Sequence, residues 1–381
     1  MEDKYIIITH VLYKNNKKVS GPYFSIINGL LQNNKDVLVL EIPLVGYENP
    51  VFYGKHDAQH KLKIPKSFGK TTPVKYLTDF ILIFLLLIRL LSFNKRNSVV
   101  IGIDPLSTVP AVFLRFLFNF KLIFYCVDFS ENRFSNNLMQ KMYEYFDKVS
   151  SVKTDQTWVV CESLAEYKGK NYKSESVYTP NSFTFNESYF ETNKNSRTGN
   201  RVVWTGSILT DKQIHDIVTI CAKLQMIRQE LEFWFIPTNK IDLFKQEIEK
   251  NSLKNTTIYD VNGQDASSKL VSQCDLGLAI YDKDFGSTKY IEPIKIWEYM
   301  MCGLPFIISC EPSLNKEAIN EGIALQLKPD NKPSDDDTLH NFISKENLIQ
   351  LQSKCLQMAK KYDIKEVLKN NLFLFHSTRQ Q

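Results

Sequence analysis

The sequence predicts an α/β protein of two doubly wound, Rossmann-like domains. Short apolar runs of strand length alternate with amphipathic stretches of helix length from one end to the other, the pattern of mostly parallel sheets. The alternation runs twice, interrupted by a polar stretch at Tyr189–Asn200. The chain of 381 residues, 43% of them hydrophobic, is also longer than one ordinary core supports.

In the first half, Tyr5–Thr9 reads as a buried first strand. A loop with Gly21-Pro22 follows, and Tyr23–Gln32 reads as a helix, since proline suits a first helical turn where its missing N–H would be unpaired. Val37–Glu41, Ser98–Ile103, Leu122–Val127 and Thr157–Cys161 are the next strands. Tyr189–Asn200, poor in apolar residues, reads as the linker. The second series has strands at Arg201–Thr205, Leu231–Ile236, Thr257–Tyr259, Leu276–Ile280 and Pro305–Ser309. A helix at Glu292–Met301 precedes the last of them. A helix at Lys345–Lys361 and the stretch Asp363–Phe375 close the chain. The expected domains are 1–190, 200–345, and a terminal segment 346–381 whose helices pack back toward the first domain.

A net charge of +5 over this length is too mild for a nucleic-acid protein and fits local basic patches better. The seven cysteines are odd in number, form no CxxC pair and sit mostly in apolar runs. They read as small buried residues in a reducing compartment, and no zinc site is implied. The start Met1-Glu2-Asp3-Lys4 gives no signal peptide. The longest unbroken apolar run, Phe80–Ile88, is far short of the about 20 residues that span a bilayer. The expected location is the cytoplasm, with the inner face of the cell membrane as an option.

The stretch Tyr290–Ser309, YIEPIKIWEYMMCGLPFIIS, carries the most chemistry. Pro293 starts a helix, Gly303 ends it and Pro305 opens a buried strand. Lys295 and Glu298 share a face near the helix N-terminus, where backbone N–H groups and the dipole favour an anion. A cation there, with a carboxylate one turn on, suits a phosphate–ribose unit, and ligands of open α/β sheets sit at such strand ends. The plain alternative is an exposed Lys–Glu pair on an ordinary amphipathic helix.

The same stretch resembles the P-x-K-x-x-E-Y-M-x-x-G-x-P pattern of GT-B glycosyltransferases, in particular the group 1, family-4-like enzymes of bacterial polysaccharide biosynthesis. Pro293, Lys295, Glu298, Tyr299, Met300, Gly303 and Pro305 all match. Gly21-Pro22 resembles the family's N-terminal glycine loop, Tyr178–Ser182 its P-N-G turn, and Val202–Ile208 the strand that opens its second domain. Asp260–Gln264 resembles the F-x-G turn of its base pocket, and Cys274–Leu278 the strand before the motif. The resemblance implies a GT-B fold with two domains facing a central cleft. It also implies a nucleotide-sugar site at Gly206, Ser207, Lys212, Gly263, Lys295 and Glu298, with Glu298 on the ribose. The co-substrate would be a UDP- or GDP-sugar, with no separate cofactor.

Two positions depart from the pattern. Ser207 stands where the family has a diphosphate-binding Arg. Tyr290 stands where retaining members carry a second Glu, with Glu292 displaced by two. The stereochemistry is therefore open, Glu292 is one catalytic candidate, and an inverting reaction needs a base from the first domain. Asp128, directly after Leu122–Val127, is the candidate base. Asp104 and His10 also follow strands, although Asp104-Pro105 looks like a helix start. Asp282-Lys283-Asp284 resembles a metal-binding Asp-x-Asp, but Lys283, Lys289 and Lys295 supply positive charge without a metal, and no metal is expected.

Lys61, Lys63, Lys66, Lys70 and Lys75 precede the apolar run Phe80–Ile88, and Pro110–Tyr125 mixes Phe with Arg115 and Lys121. Both suit a peripheral membrane face, or else core elements beside a solvated loop. The expected function is transfer of a sugar, of hexosyl type, from a nucleotide sugar to a hydroxyl of a glycan or lipid-linked glycan in cell-surface polysaccharide synthesis. A sugar-nucleotide epimerase and a catalytically degenerate binding scaffold are the alternatives.

Overall fold

The computed structural model describes residues 4–14, 17–18, 21, 23–45, 51–54, 60–61, 73–93, 98–261, 264–309, 316–328, 330 and 335–377. The chain divides into two compact units. Unit 1 is Met1–Thr184 with Ile364–Gln381, and unit 2 is Phe185–Asp363.

Unit 1 runs β1 (Lys4–Lys14), β2 (Lys17–Lys18), α1 (Tyr23–Gln32), β3 (Asp36–Val45), β4 (Val51–Gly54), β5 (His60–Lys61) and α2 (Pro73–Phe93). It continues with β6 (Ser98–Ile103), α3 (Pro105–Leu114), β7 (Lys121–Cys126), α4 (Asn137–Lys153), β8 (Gln156–Val159), α5 (Glu162–Tyr172) and β9 (Ser176–Tyr178). The parallel core has the order β3-β1-β6-β7-β8-β9, with β4 and β5 added antiparallel beyond β3. The first strands are Val/Ile runs because both sheet faces are covered; all six residues of β6 are buried. One core layer joins Ile6, Ile8, Leu40 and Val100 of the sheet to Ile83, Leu87 and Leu91 of α2. Since β1 pairs with β3 on one side and β6 on the other, the winding reverses between β1 and β6. That places the C-terminal ends of β1 and β6 where open sheets receive ligands.

Unit 2 runs α6 (Ser188–Asn193), β10 (Arg201–Gly206), α7 (Asp211–Ile227), β11 (Glu232–Pro237), α8 (Ile241–Lys250), β12 (Thr256–Ile258), α9 (Gln264–Val271) and β13 (Leu276–Ala279). Then come α10 (Ile294–Met301), β14 (Phe306–Ile308), α11 (Lys316–Asn320), β15 (Ala324–Gln326), α12 (Asp336–Phe342) and α13 (Lys345–Lys361). Its sheet is parallel throughout, in the order β12-β11-β10-β13-β14-β15, so the reversal falls between β10 and β13.

Two sequence expectations change. Tyr189–Asn200 is not a free linker but packs onto unit 2. Tyr189 Oη donates to Asp265 at 2.6 Å, and the Arg197 guanidinium donates to the carbonyls of Ser272 and Cys302. Its polarity reflects a surface segment pinned by long side chains, and the chain leaves unit 1 earlier, at Thr184. The terminal helices also separate. α13 stays in unit 2 against α10, while α14 (Ile364–Ser377) joins unit 1, where Leu368 lies against Gly29 of α1.

Candidate functional site

The reversal point of unit 2 collects the residues of the α10 motif. β10 ends on Gly206 at φ +122°, a conformation that side chains rarely adopt. A Cβ at this glycine would stand 3.2 Å from Lys295 Nζ, so the strand end lies directly against that amine. α10 begins after Pro293, with no side chain capping its first turn, and ends at Gly303 in the left-handed region at φ +71°. Lys295 thus sits in the first turn of the helix and Glu298 one turn on.

The expected alternative of an exposed Lys–Glu pair does not hold, because both side chains are buried. The Lys295 ammonium lies 4.4 Å from the Trp204 ring centroid and 5.0 Å from that of Tyr281. Its Nζ has no hydrogen-bond partner among the described residues. Burial lowers its pKa to about 7, against the opposing pull of Glu298. Burial raises the Glu298 carboxyl to about 7, with the Ser268 hydroxyl (2.6 Å) and Lys295 pulling the other way. A buried amine without a hydrogen-bond partner is costly to retain in a core, and an anion placed beside it would offset that cost. Glu298 offers a buried acceptor to ligand hydroxyls beside it.

The other expected binding residues are placed less directly. Ser207 is exposed at the end of β10, and its Oγ is 2.7 Å from Thr238 Oγ1 after β11. Lys212, in the first turn of α7, is held by Asp216 at 2.7 Å and lies 3.6 Å from Asp282. Asp282 in turn accepts from Thr210, the residue that caps α7. Gly263 lies outside the described residues. Glu292 is buried and accepts from Trp297 Nε1 at 2.9 Å, an internal bond at the base of α10. Trp204, Tyr281 and Ser268 were missed by sequence reasoning. The Trp in VVWTG reads as plain core, and nothing in the sequence pairs Ser268 with Glu298.

The reversal point of unit 1 holds a cavity of about 290 Å³ whose lining includes His10, Tyr76, Asp104, Asp128, Arg133 and Tyr143. Asp104 sits at φ +88°, ψ 158°, a region essentially reserved for glycine. It is fixed there by capping α3 through Ser107 N (2.8 Å) and by His10 Nδ1 (2.8 Å). Burial alone would lower the His10 pKa, but Asp104 and Asp79 outweigh it and hold the imidazole at about 9. His10 is therefore cationic at neutral pH and does not act there as a proton acceptor. Asp128 receives both guanidinium nitrogens of Arg133, at 3.0 and 3.2 Å. A role as base requires Arg133 to release one of those bonds. Among the described residues no group of three or more His, Cys, Asp or Glu side chains is arranged to hold a metal ion.

The membrane expectation is corrected in one respect. Lys75 is not part of a surface basic patch: it is buried on the inner row of α2, 2.6 Å from Asp79. Its i,i+4 spacing to Asp79 puts both on the helix face that packs against the sheet. The side chain of Lys61 and all of Lys63, Lys66 and Lys70 lie outside the described residues. No helix among the described residues is long and apolar enough to cross a membrane.

No family model matches the chain, and no curated protein matches it by sequence. Solved structures do match. Sucrose-phosphate synthase from Thermosynechococcus elongatus aligns over 100% of this chain and 100% of its own, with TM-score 0.72 and 12% identity. An α,α-trehalose-phosphate synthase (UDP-forming) from Burkholderia vietnamiensis aligns over 99% of this chain and 98% of its own, with TM-score 0.66 and 10% identity. TarM from S. aureus, in complex with fondaparinux, α-GlcNAc-glycerol and UDP, aligns over 85% of this chain and 61% of its own, with TM-score 0.59 and 14% identity. These likenesses establish the fold: two Rossmann-like halves of the GT-B type.

Proposed function

We propose that the chain is a glycosyltransferase that takes a sugar from a nucleoside-diphosphate sugar and passes it to a hydroxyl of a glycan or lipid-linked glycan. The observation that carries this reading is the buried Lys295 amine, without a hydrogen-bond partner among the described residues, beside the buried Glu298 carboxyl at the reversal point of unit 2. In the reaction the acceptor oxygen bonds to the anomeric carbon, the bond from that carbon to the diphosphate breaks, and the acceptor proton passes to a base. Charge grows on the leaving diphosphate. Lys295, half-protonated near pH 7 without ligand, is pulled to its charged form as the diphosphate binds and departs, so its stabilisation is greatest late in the reaction. Glu298 accepts from the ribose hydroxyls and fixes the nucleotide. Asp128 is the base of this proposal, with Arg133 moving off it when the acceptor enters. A UDP-sugar is the first donor to try, because UDP or a UDP-sugar analogue is bound in structures that the fold resembles.

The second reading is a GT-B scaffold that binds without turnover, favoured by Ser207 in place of a cation and by the closed Asp128–Arg133 pair. A thermal-shift screen with UDP-, GDP-, ADP- and CMP-sugars, followed by donor hydrolysis and transfer assays, separates the two. Stabilisation by one nucleotide with acceptor-dependent product supports the transferase. Stabilisation without product on any glycan acceptor selects the scaffold, and no stabilisation by any nucleotide sinks both.

A further inference from the structure

The outer surface of α2, the end of α3 and α4 presents an apolar face on which the exposed charges of the helices themselves are cations; Asp155, just past α4, is exposed but paired with Arg115 at 2.7 Å. The inner row of α2 (Lys75, Asp79, Ile83, Leu87, Leu91) is buried. The opposite row should be polar in a soluble helix, yet it reads Leu77, Ile81, Leu85 and Arg89, with the three apolar residues 61%, 48% and 57% exposed. Phe80 of α2 lies 6.3 Å from the Phe113 ring of α3 and 6.5 Å from the Phe146 ring of α4, so the three helices meet in one surface. Phe80, Ile81, Phe84 and Phe113 line an open hollow on it with no polar wall. Just past α3, Phe116 and Leu117 are 88% and 71% exposed, and α4 adds Leu138, Met142, Tyr145 and Val152.

The charges on these helices are one-sided. Their exposed charged residues are Arg89, Lys141, Lys148 and Lys153, while Asp79 and Asp147 are buried and Glu144 is half-buried against Gln140. A second copy is a poor occupant, because a two-fold contact through this face sets like charges against each other. An anionic lipid surface satisfies both features: the cations meet headgroups, and the aromatic and aliphatic side chains enter the acyl boundary.

We propose that the α2–α3–α4 face of unit 1 docks sideways on an anionic lipid bilayer, with Phe116 and Leu117 as the inserting residues. This inference stands apart from the nucleotide site, and docking is expected without any nucleotide present. The test is flotation with vesicles of equal parts phosphatidylglycerol and phosphatidylcholine, compared with phosphatidylcholine alone, at low and high salt. The wild-type chain is expected to float with the anionic vesicles, less so at high salt. Lys141→Gln, Lys148→Gln and Lys153→Gln together should weaken partitioning by about a hundredfold, at about fivefold per cation. Phe116→Ser with Leu117→Ser should abolish flotation with an unchanged melting temperature, because both side chains are largely out of the core. The indole fluorescence introduced by Phe116→Trp should be quenched by brominated lipid. Absence of flotation at low salt, equal flotation of the variants, or no added quenching in Phe116→Trp overturns the proposal. A dimer in light scattering that Phe116→Ser with Leu117→Ser dissolves, without lipid binding, assigns the face to a second copy instead.

Discussion

Replacing Lys295 by Met should make the protein more stable and a poorer nucleotide binder at once. Met keeps the unbranched stem between Trp204 and Tyr281 and removes the amine. The amine costs stability because its pKa falls from 10.5 in the open chain to about 7 when buried. The unfolded chain therefore binds the extra proton between those values, and the penalty is full below pH 7 and gone above pH 10.5. A shift of that size at about 1.4 kcal/mol per unit amounts to roughly 4 kcal/mol at pH 7. Losing the cation–aromatic contact gives back about 1 kcal/mol, leaving a net gain of about 3 kcal/mol for the variant. Glu298 keeps the sign of the pH trend: without Lys295 its carboxyl is harder to ionise, so the variant's advantage over the wild type narrows further as pH rises from 7 to 9. Urea titrations at pH 7 and pH 9 measure both effects, with wild type expected to recover roughly 2 kcal/mol relative to the variant over that interval. Binding of UDP by calorimetry should meanwhile weaken tenfold to a hundredfold, the range for a hydrogen bond to a charged partner. A less stable variant with unchanged UDP affinity refutes both the burial cost and the assignment.

Glu298→Ala should weaken nucleotide binding by about 1.5–3 kcal/mol, measured by calorimetry, because a charge-assisted bond to ribose is lost. Nucleotide affinity should peak near pH 7. Above it Lys295 loses the proton that meets the diphosphate, and below it Glu298 gains one and stops accepting from ribose. Glu298→Gln should remove the acid limb and Lys295→Met the alkaline limb, whereas a profile that keeps both limbs in both variants contradicts the pairing. Asp79→Ala should destabilise unit 1 by about 3–5 kcal/mol in urea titrations, since the buried Lys75 ammonium loses its 2.6 Å carboxylate. The same change should lower the His10 pKa from about 9, visible by NMR as earlier loss of the imidazolium signal. Turnover, once a donor is found, should survive EDTA; loss restored by Mg²⁺ and repeated in Asp282→Ala would point to the Asp-x-Asp alternative instead.

Much of the fold was legible because parallel strands covered on both faces read as unbroken apolar runs. Ser98–Ile103, Tyr23–Gln32 and Lys345–Lys361 have the same bounds in sequence and structure. The edge strand Ser176–Tyr178 escaped because three half-buried residues carry no such run, and the four-residue strand Val51–Gly54 is too short to stand out. Tyr189–Asn200 misled because composition reports solvent contact and not attachment; Tyr189, Asn193 and Arg197 hold it to unit 2 through polar groups. For the site, the spacing of Lys295 and Glu298 was visible, but their burial was not. A charged pair on a helix is usually exposed, and here the aromatic pair Trp204 and Tyr281, from two other segments, lies against the amine.

The same physics separates the two reversal points. In unit 1 the buried charges are paired within the protein: Lys75 with Asp79, and His10 between Asp79 and Asp104. Such a chain holds its own balance and fixes Asp104 in a backbone conformation it would not otherwise keep. In unit 2 the balance is left open. Lys295 and Glu298 are both pushed toward their neutral forms by burial, and among the described residues no group hydrogen-bonds the amine. A site whose acid and base both titrate near 7 has its lowest unliganded stability in that range. The Lys295 penalty is full up to that pH and fades above it, while the Glu298 penalty grows up to that pH and stays. A diphosphate with a ribose removes both penalties together, by charging the amine and the carboxyl at once. Ligand stabilisation of unit 2 should therefore be larger at pH 7 in the wild type than in Lys295→Met with Glu298→Gln, which lacks both charged contacts.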